Sequence, residues 1–86
     1  MMPRPDAVVR PDGSPVHVLV VDDEEVLAEL LSSALRYEGW NVVSAPDGYG
    51  AIRQVKAHDP DVIVLDMMLP DLDGLEVLRR ARQLKP

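Results

Sequence analysis

Apolar and polar residues come in blocks along this chain. Three short apolar runs stand out: VHVLVV at 16–21, WNVVSA at 40–45 and VIVL at 62–65. Runs rich in β-branched and aliphatic residues, bounded by turn signals and too short for helices, predict strands, and the third reads as buried on both faces. Between and after them, apolar residues recur at helical spacing. The first helix carries Leu27, Leu30, Leu31, Ala34 and Leu35 on its inward stripe and ends at Gly39. The second runs over 49–58 with Ile52 and Val55, after a Pro46-Asp47-Gly48 turn that offers a cap. Gly50 near its start costs it about 1 kcal/mol relative to Ala. The third runs over 74–84, with Val77, Leu78, Ala81 and Leu84 inward and Glu76 paired with Arg80. Arg79, Arg82 and Lys85 are expected to face water, where positive charge in a last turn suits the helix dipole.

Strand and helix therefore alternate three times, which predicts an α/β fold: a three-layer helix/sheet/helix arrangement around a parallel sheet. Parallel strands need crossovers, and right-handed crossovers dominate. With the second strand on one side of the first and the third on the other, the spatial order is 2-1-3. The two connecting helices then take opposite faces, and a switch point opens between strands one and three. Residues 1–15 hold Pro3, Pro5, Pro11 and Pro15 with an Asp12-Gly13-Ser14 turn, and have little to bury. They are expected to be a mobile leader, leaving 16–86 as the folded domain.

Composition narrows the possibilities further. With 86 residues there is room for one small domain. Aromatics are only 3% and Phe is absent, so the core must be aliphatic. A net charge of −6 argues against a nucleic-acid-binding surface on this segment. The absence of cysteine excludes disulfides and thiolate metal sites. No apolar run approaches the ~18 residues of a membrane span, and the first residues lack the apolar stretch of a signal peptide. The expectation is a soluble, cytoplasmic, acidic domain that does not engage the membrane.

The chemistry is concentrated where strands end. Strand one runs into Asp22-Asp23-Glu24-Glu25, and strand three into Asp66 within DVIVLDMMLPDLDG at 61–74. Acids in a first helical turn favour the dipole, which accounts for Glu24 and Glu25. It accounts only in part for Asp22 and Asp23, and nothing about packing requires an acid at 66. The 2-1-3 order brings Asp22, Asp23 and Asp66 into one crevice. Two unit charges ~4 Å apart repel by roughly 4 kcal/mol at an effective dielectric of ~20. Three such carboxylates need a counter-charge or raised pKa values. An all-oxygen set suits a hard divalent cation, with Mg²⁺ the natural candidate, and a carboxylate beside it can act as a nucleophile toward phosphorus. Two weaker signals carry no chemistry. His17 lies at the amino end of its strand, away from the acids. Gly48-Tyr49-Gly50 lacks the third glycine of a nucleotide loop, since position 53 is Arg.

VLVVDDE at 18–24 followed by VIVLDMMLPDLDG at 62–74 resembles the receiver domain of two-component response regulators, and the likeness extends from residue 16 to the C-terminus. The resemblance implies a flavodoxin-like receiver fold, with Asp66 as the phosphoacceptor for a sensor histidine kinase. It implies Mg²⁺ held by Asp23 directly, by Asp22 mainly through water, by Asp66, and by the backbone carbonyl of Met68. Leu69 stands where the family often has Met. Leu69-Pro70 and Asp73-Gly74 would shape the loop into helix three. It further implies a regulator that assists its own phosphorylation and is not an enzyme acting on others.

Receivers have five strands in the order 2-1-3-4-5, so the likeness covers strands 1–3 and helices 1–3, without strands 4–5, helices 4–5 or the Ser/Thr and Lys that respond to the phosphoryl group. Lys85-Pro86 imitates the family's Lys-Pro, but it follows a helix and comes too early. The chain is therefore expected to be a fragment, or to complete itself as a homodimer through the open edge of strand three or by strand exchange. A DNA-binding output domain, the family's commonest companion, would lie outside these residues. Two other classes compete. A haloacid-dehalogenase-type hydrolase wants a second Asp two residues after the nucleophile, where Met68 stands. A shortened receiver could serve only as a dimerisation or interaction module, never phosphorylated.

Overall fold

A computed structural model describes residues 8–85. His17–Val21 forms β1, and its four valine and leucine side chains are at most 1% exposed. It is the middle strand of a three-stranded sheet of order β2-β1-β3 (β2, Asn41–Ala45; β3, Val62–Leu65). Both neighbours run parallel to β1, with Val21 opposite Ala45 on one side and Leu65 on the other. The helices are α1 (Glu25–Tyr37), α2 (Gly48–His58) and α3 (Gly74–Leu84). The predicted fold class and strand order are those observed.

Because side chains alternate across a strand, β1 feeds two cores. Val18 and Val20 meet Ala28 of α1, Val42 and Trp40 on one face. Leu19 and Val21 meet Ala51 and Val55 of α2 and Val77 and Ala81 of α3 on the other. Helices α1 and α2 thus lie on opposite faces, as right-handed crossovers to either side of β1 require.

Some boundaries and faces differ from the sequence reading. Trp40 precedes β2, its N–H bonding back to Leu35 O, so it closes the end of α1. α2 begins one residue early, at Gly48. The inward face of α1 is set by Ala28 and Ser32, both buried, with Leu31 and Leu35 half-buried. Leu27, Leu30 and Ala34, expected on that stripe, are exposed. Two small residues four apart let the helix backbone approach the sheet, and that rotates the outer leucines away. Leu84, expected inward, is 37% exposed at the last turn of α3. Arg79, expected in water alone, shares Glu76 with Arg80 at 2.6 and 2.8 Å.

The expected leader is divided. Residues 1–7 lie outside the described residues. Residues 8–15 turn tightly at Gly13 (φ 85°), with a bridge between Val9 and Pro15 and Arg10 N–H bonded to Ser14 O at 2.9 Å. The Arg10 guanidinium reaches Asp61 at 3.0 Å and Asp59 at 3.8 Å, which clasps this hairpin to the amino end of the sheet. His17 sits beside it, stacked on His58 with ring centroids 4.8 Å apart and Nδ1 2.9 Å from His58 O. These histidines join β1 to the end of α2 and stand far from the acidic crevice.

Candidate functional site

The strand register alone brings two acids together. Val21 pairs with Leu65, so Asp22 and Asp66 are the next residues on adjacent parallel strands. Backbone bonds hold both there: Asp22 N–H donates to Ala45 O at 3.1 Å, and Asp66 N–H to Val21 O at 2.9 Å. Asp23 follows in the turn into α1. Each of Asp22, Asp23 and Asp66 offers one carboxylate oxygen, and the three oxygens lie within 4.8 Å of one another. Among the described residues this is the cluster whose donors could hold a metal ion. The set is all oxygen, without imidazole or thiolate, which fits a hard divalent cation such as Mg²⁺ and disfavours softer metals.

The carboxylates are also held locally. Asp22 Oδ1 accepts Glu24 N–H at 2.9 Å and Asp66 Oδ1 accepts Met68 N–H at 2.9 Å. Asp66 is half-buried and Asp23 is exposed, so the crevice has a wall and an open mouth. A groove of about 270 Å³ runs from Asp22 and Asp66 between Leu27 of α1 and Val64 of β3. A second, of about 430 Å³, extends past Asp23 toward Ser44 and Pro46.

The other predicted residues belong to the loop between β3 and α3. The side chain of Met68 is 85% exposed, and its backbone is tied to Asp66 on one side and bridged to Asp73 on the other. Pro70 lies exposed at the outer bend. Asp73 caps α3, its Oδ1 accepting Glu76 N–H at 2.8 Å. Gly74 is buried where the loop closes on itself: its N–H reaches Met67 O at 3.2 Å, and a Cβ there would lie 2.9 Å from Met67 Cα. Asp73 and Gly74 therefore stand outside the carboxylate cluster and shape its border.

Asp71 is the residue that sequence reasoning passed over. Its Oδ1 accepts Gly48 N–H at 2.7 Å and Leu72 N–H at 2.8 Å, and its Oδ2 accepts Tyr49 N–H at 2.9 Å. Desolvation opposes its ionisation, but the Tyr49, Gly48 and Leu72 amides together outweigh it and hold the carboxyl below its ordinary range. No local pattern links position 71 to a helix start 23 positions earlier.

Known proteins share this arrangement. The family model for the response regulator receiver domain matches residues 18–86. The "Probable transcriptional regulatory protein TcrX" of Mycobacterium tuberculosis is 60% identical over 77 residues, covering 90% of this chain and 33% of that protein. The chain spans about a third of the length of the curated relatives it matches. Among solved structures, the CheX-CheY-BeF3-Mg+2 complex from Borrelia burgdorferi is similar at a TM-score of 0.81 and 29% identity, over 92% of this chain and 61% of that one. TrrA from Thermotoga maritima, in complex with Mg(2+)-BeF, is similar at 0.75 and 36%, over 81% and 61%. With β1 and β3 delivering their acids to one crevice, and with the family model matching nearly the whole domain, the chain belongs to the response regulator receiver domain family.

Proposed function

We propose that this chain is the phosphoacceptor module of a two-component system, taking a phosphoryl group on Asp66 from the phosphohistidine of a sensor histidine kinase. The observation that carries this is the convergence of three carboxylate oxygens within 4.8 Å at the carboxyl ends of β1 and β3. Asp66 Oδ1 accepts Met68 N–H, and Oδ2 serves as the nucleophilic atom. Oδ2 attacks phosphorus, the P–N bond to the donor imidazole breaks, and the leaving nitrogen keeps the electron pair and takes a proton from solvent. Asp22, Asp23 and Asp66, with the Met68 carbonyl, would hold Mg²⁺, which when bound neutralises charge on the phosphoryl oxygens. Mg²⁺ in two of the similar structures supports that assignment. Similarity to transcriptional regulatory proteins supports a role as the input module of such a regulator. A hydrolase role is disfavoured by the family match and by Met68 in place of a second acid.

A second reading rests on β3, where Val62 and Val64 are 44% and 37% exposed. A strand with this much uncovered apolar surface can pair with a second copy, making the chain an interaction module with no phosphorylation. Intact-mass measurement with acetyl phosphate and Mg²⁺ separates the two. The expected result is a gain of about 80 Da, one phosphoryl group, in wild type and none in Asp66→Asn. No Asp66-dependent adduct overturns the phosphoacceptor reading.

A further inference from the structure

The N-terminus of α2 is capped twice. By geometry a helix start leaves its first N–H groups without intrahelical partners. Asp47 satisfies Gly50 N–H from within the same chain segment, at 2.6 Å, which is the ordinary local solution. The remaining two, Gly48 and Tyr49, are taken by Asp71 from the β3–α3 loop. The same carboxylate also accepts the N–H of Leu72, so one side chain organises backbone on both sides of the contact. The fit leaves no slack. Gly48 is buried, and a Cβ on it would lie 2.8 Å from Leu72 Cβ and 3.1 Å from Asp71 Oδ1. The loop that leaves Asp66 is thus moored to a helix that contributes no residue to the carboxylate cluster.

We propose that Asp71 is a positioning residue of the cation site. It fixes the path of residues 67–72 against α2 and thereby sets where the Met68 backbone stands relative to Asp66. This rests on the phosphoacceptor reading, which gives the Met68 carbonyl its role as a ligand. Three other backbone restraints lie within the loop: Met68 N–H on Asp66 Oδ1, Gly74 N–H on Met67 O, and the bridge between Met68 and Asp73. None of these ties the loop to α2. Leu69 and Leu72 pack the loop against the core, and the Asp71 latch adds the hydrogen bonds that tie its outer half to the first turn of α2. Movement of the loop when Asp66 changes its bonding would be felt at the first turn of α2, and displacement of α2 would be felt at Met68.

The test uses the whole chain as wild type, Asp71→Ala, Asp71→Asn and Gly48→Ala, under conditions where urea titration shows each to be folded. Amide hydrogen exchange without cation is read at Gly48, Tyr49 and Met68. Mg²⁺ affinity is read from amide shifts at Asp66 and Met68. Asp71→Ala is expected to speed exchange at all three amides and to weaken Mg²⁺ binding by about tenfold, the range for residues that orient a ligand. Asp71→Asn keeps the Oδ1 acceptor for Gly48 and Leu72 but turns an NH₂ toward Tyr49, so it should recover part of the loss. Gly48→Ala presses on the latch from the other side and should weaken Mg²⁺ in the same direction. If Asp71→Ala frees Gly48 and Tyr49 while Met68 exchange and Mg²⁺ affinity stay at the wild-type level, Asp71 only caps α2 and the proposal fails. Should Asp71→Ala not fold, the Asp71→Asn and Gly48→Ala variants decide by the same two readouts. If wild type shows no Mg²⁺ response at Asp66, the phosphoacceptor reading falls instead, and Met68 exchange alone decides whether the latch orders the loop.

Discussion

Gly74→Ala tests whether the loop beside Asp66 is as tightly closed as the geometry indicates. The backbone at 74 is ordinary for a helix start, so alanine is conformationally acceptable and raises helix propensity by up to ~1 kcal/mol. Space is the obstacle. The added Cβ would lie 2.7 Å from Met67 Sδ, 2.9 Å from Met67 Cα and 3.2 Å from Asp66 O. The sulfur can swing away, whereas the two backbone atoms cannot move without moving Asp66. Carbon atoms prefer ~3.5–4.0 Å, so the Met67 backbone must retreat by at least about 0.6 Å. Overpacking of this kind costs roughly 1–3 kcal/mol, and after the propensity gain a net loss of about 1 kcal/mol remains. For a domain of this size that lowers Tm by roughly 4–8 °C. A misplacement of ~1 Å can cost a hundredfold in a positioned reaction, so the initial rate of acetyl phosphate modification, followed by intact mass, should fall by about tenfold. A variant that melts at or above the wild-type temperature and reacts at the wild-type rate would refute the reasoning.

Two further outcomes follow from the same structure. Glu76 accepts the Arg79 guanidinium at 2.6 and 2.9 Å and Arg80 Nε at 2.8 Å. The Arg79 bonds first, then Arg80, depress its carboxyl from 4.5 to about 2. Its folded pKa is below its unfolded one, so its contribution is complete above pH 4.5 and is lost as pH falls toward 2. Urea midpoints across that window should fall less steeply for Glu76→Gln than for wild type; equal slopes would remove the pair from the account. Leu19→Ala empties the largest fully buried side chain, on the β1 face shared by α2 and α3. It should cost about 2–5 kcal/mol in urea unfolding, a large share of the stability of any small domain. A loss under ~1 kcal/mol would mean that the face collapses around the gap.

The strand ends were legible because they follow from one-dimensional facts. Valine-rich runs mark β1 and β3, crossover handedness places them side by side, and Asp22 and Asp66 are simply the next residues in register. β3 and α3 match their expected bounds for the same reason. The inward face of α1 was not legible from its leucines, since close approach is set by what is small, Ala28 and Ser32, and not by what is most apolar. The mooring of Asp71 on α2 and the grip of Arg10 on Asp59 and Asp61 were invisible for a different cause. Each joins a loop side chain to a partner with no periodic relation to it, and such pairs appear only once the chain is folded.

The Arg10 clasp has a consequence for how other molecules approach. At the amino end of the sheet cation and acid are matched, Arg10 with Asp59 and Asp61, and Lys85 with Asp59 at 3.5 Å. Asp22, Asp23, Asp66, Asp71 and Asp73 crowd the opposite end, where the parallel strands deliver their acids. Unbalanced negative charge is thus concentrated at the carboxylate crevice, and within a Debye length that field repels any phosphate. A divalent ion seated among the three carboxylates reverses the local sign. Under the proposed phosphoacceptor role, cation occupancy would then govern whether a phosphorylated donor arrives at all, before any question of how fast it reacts.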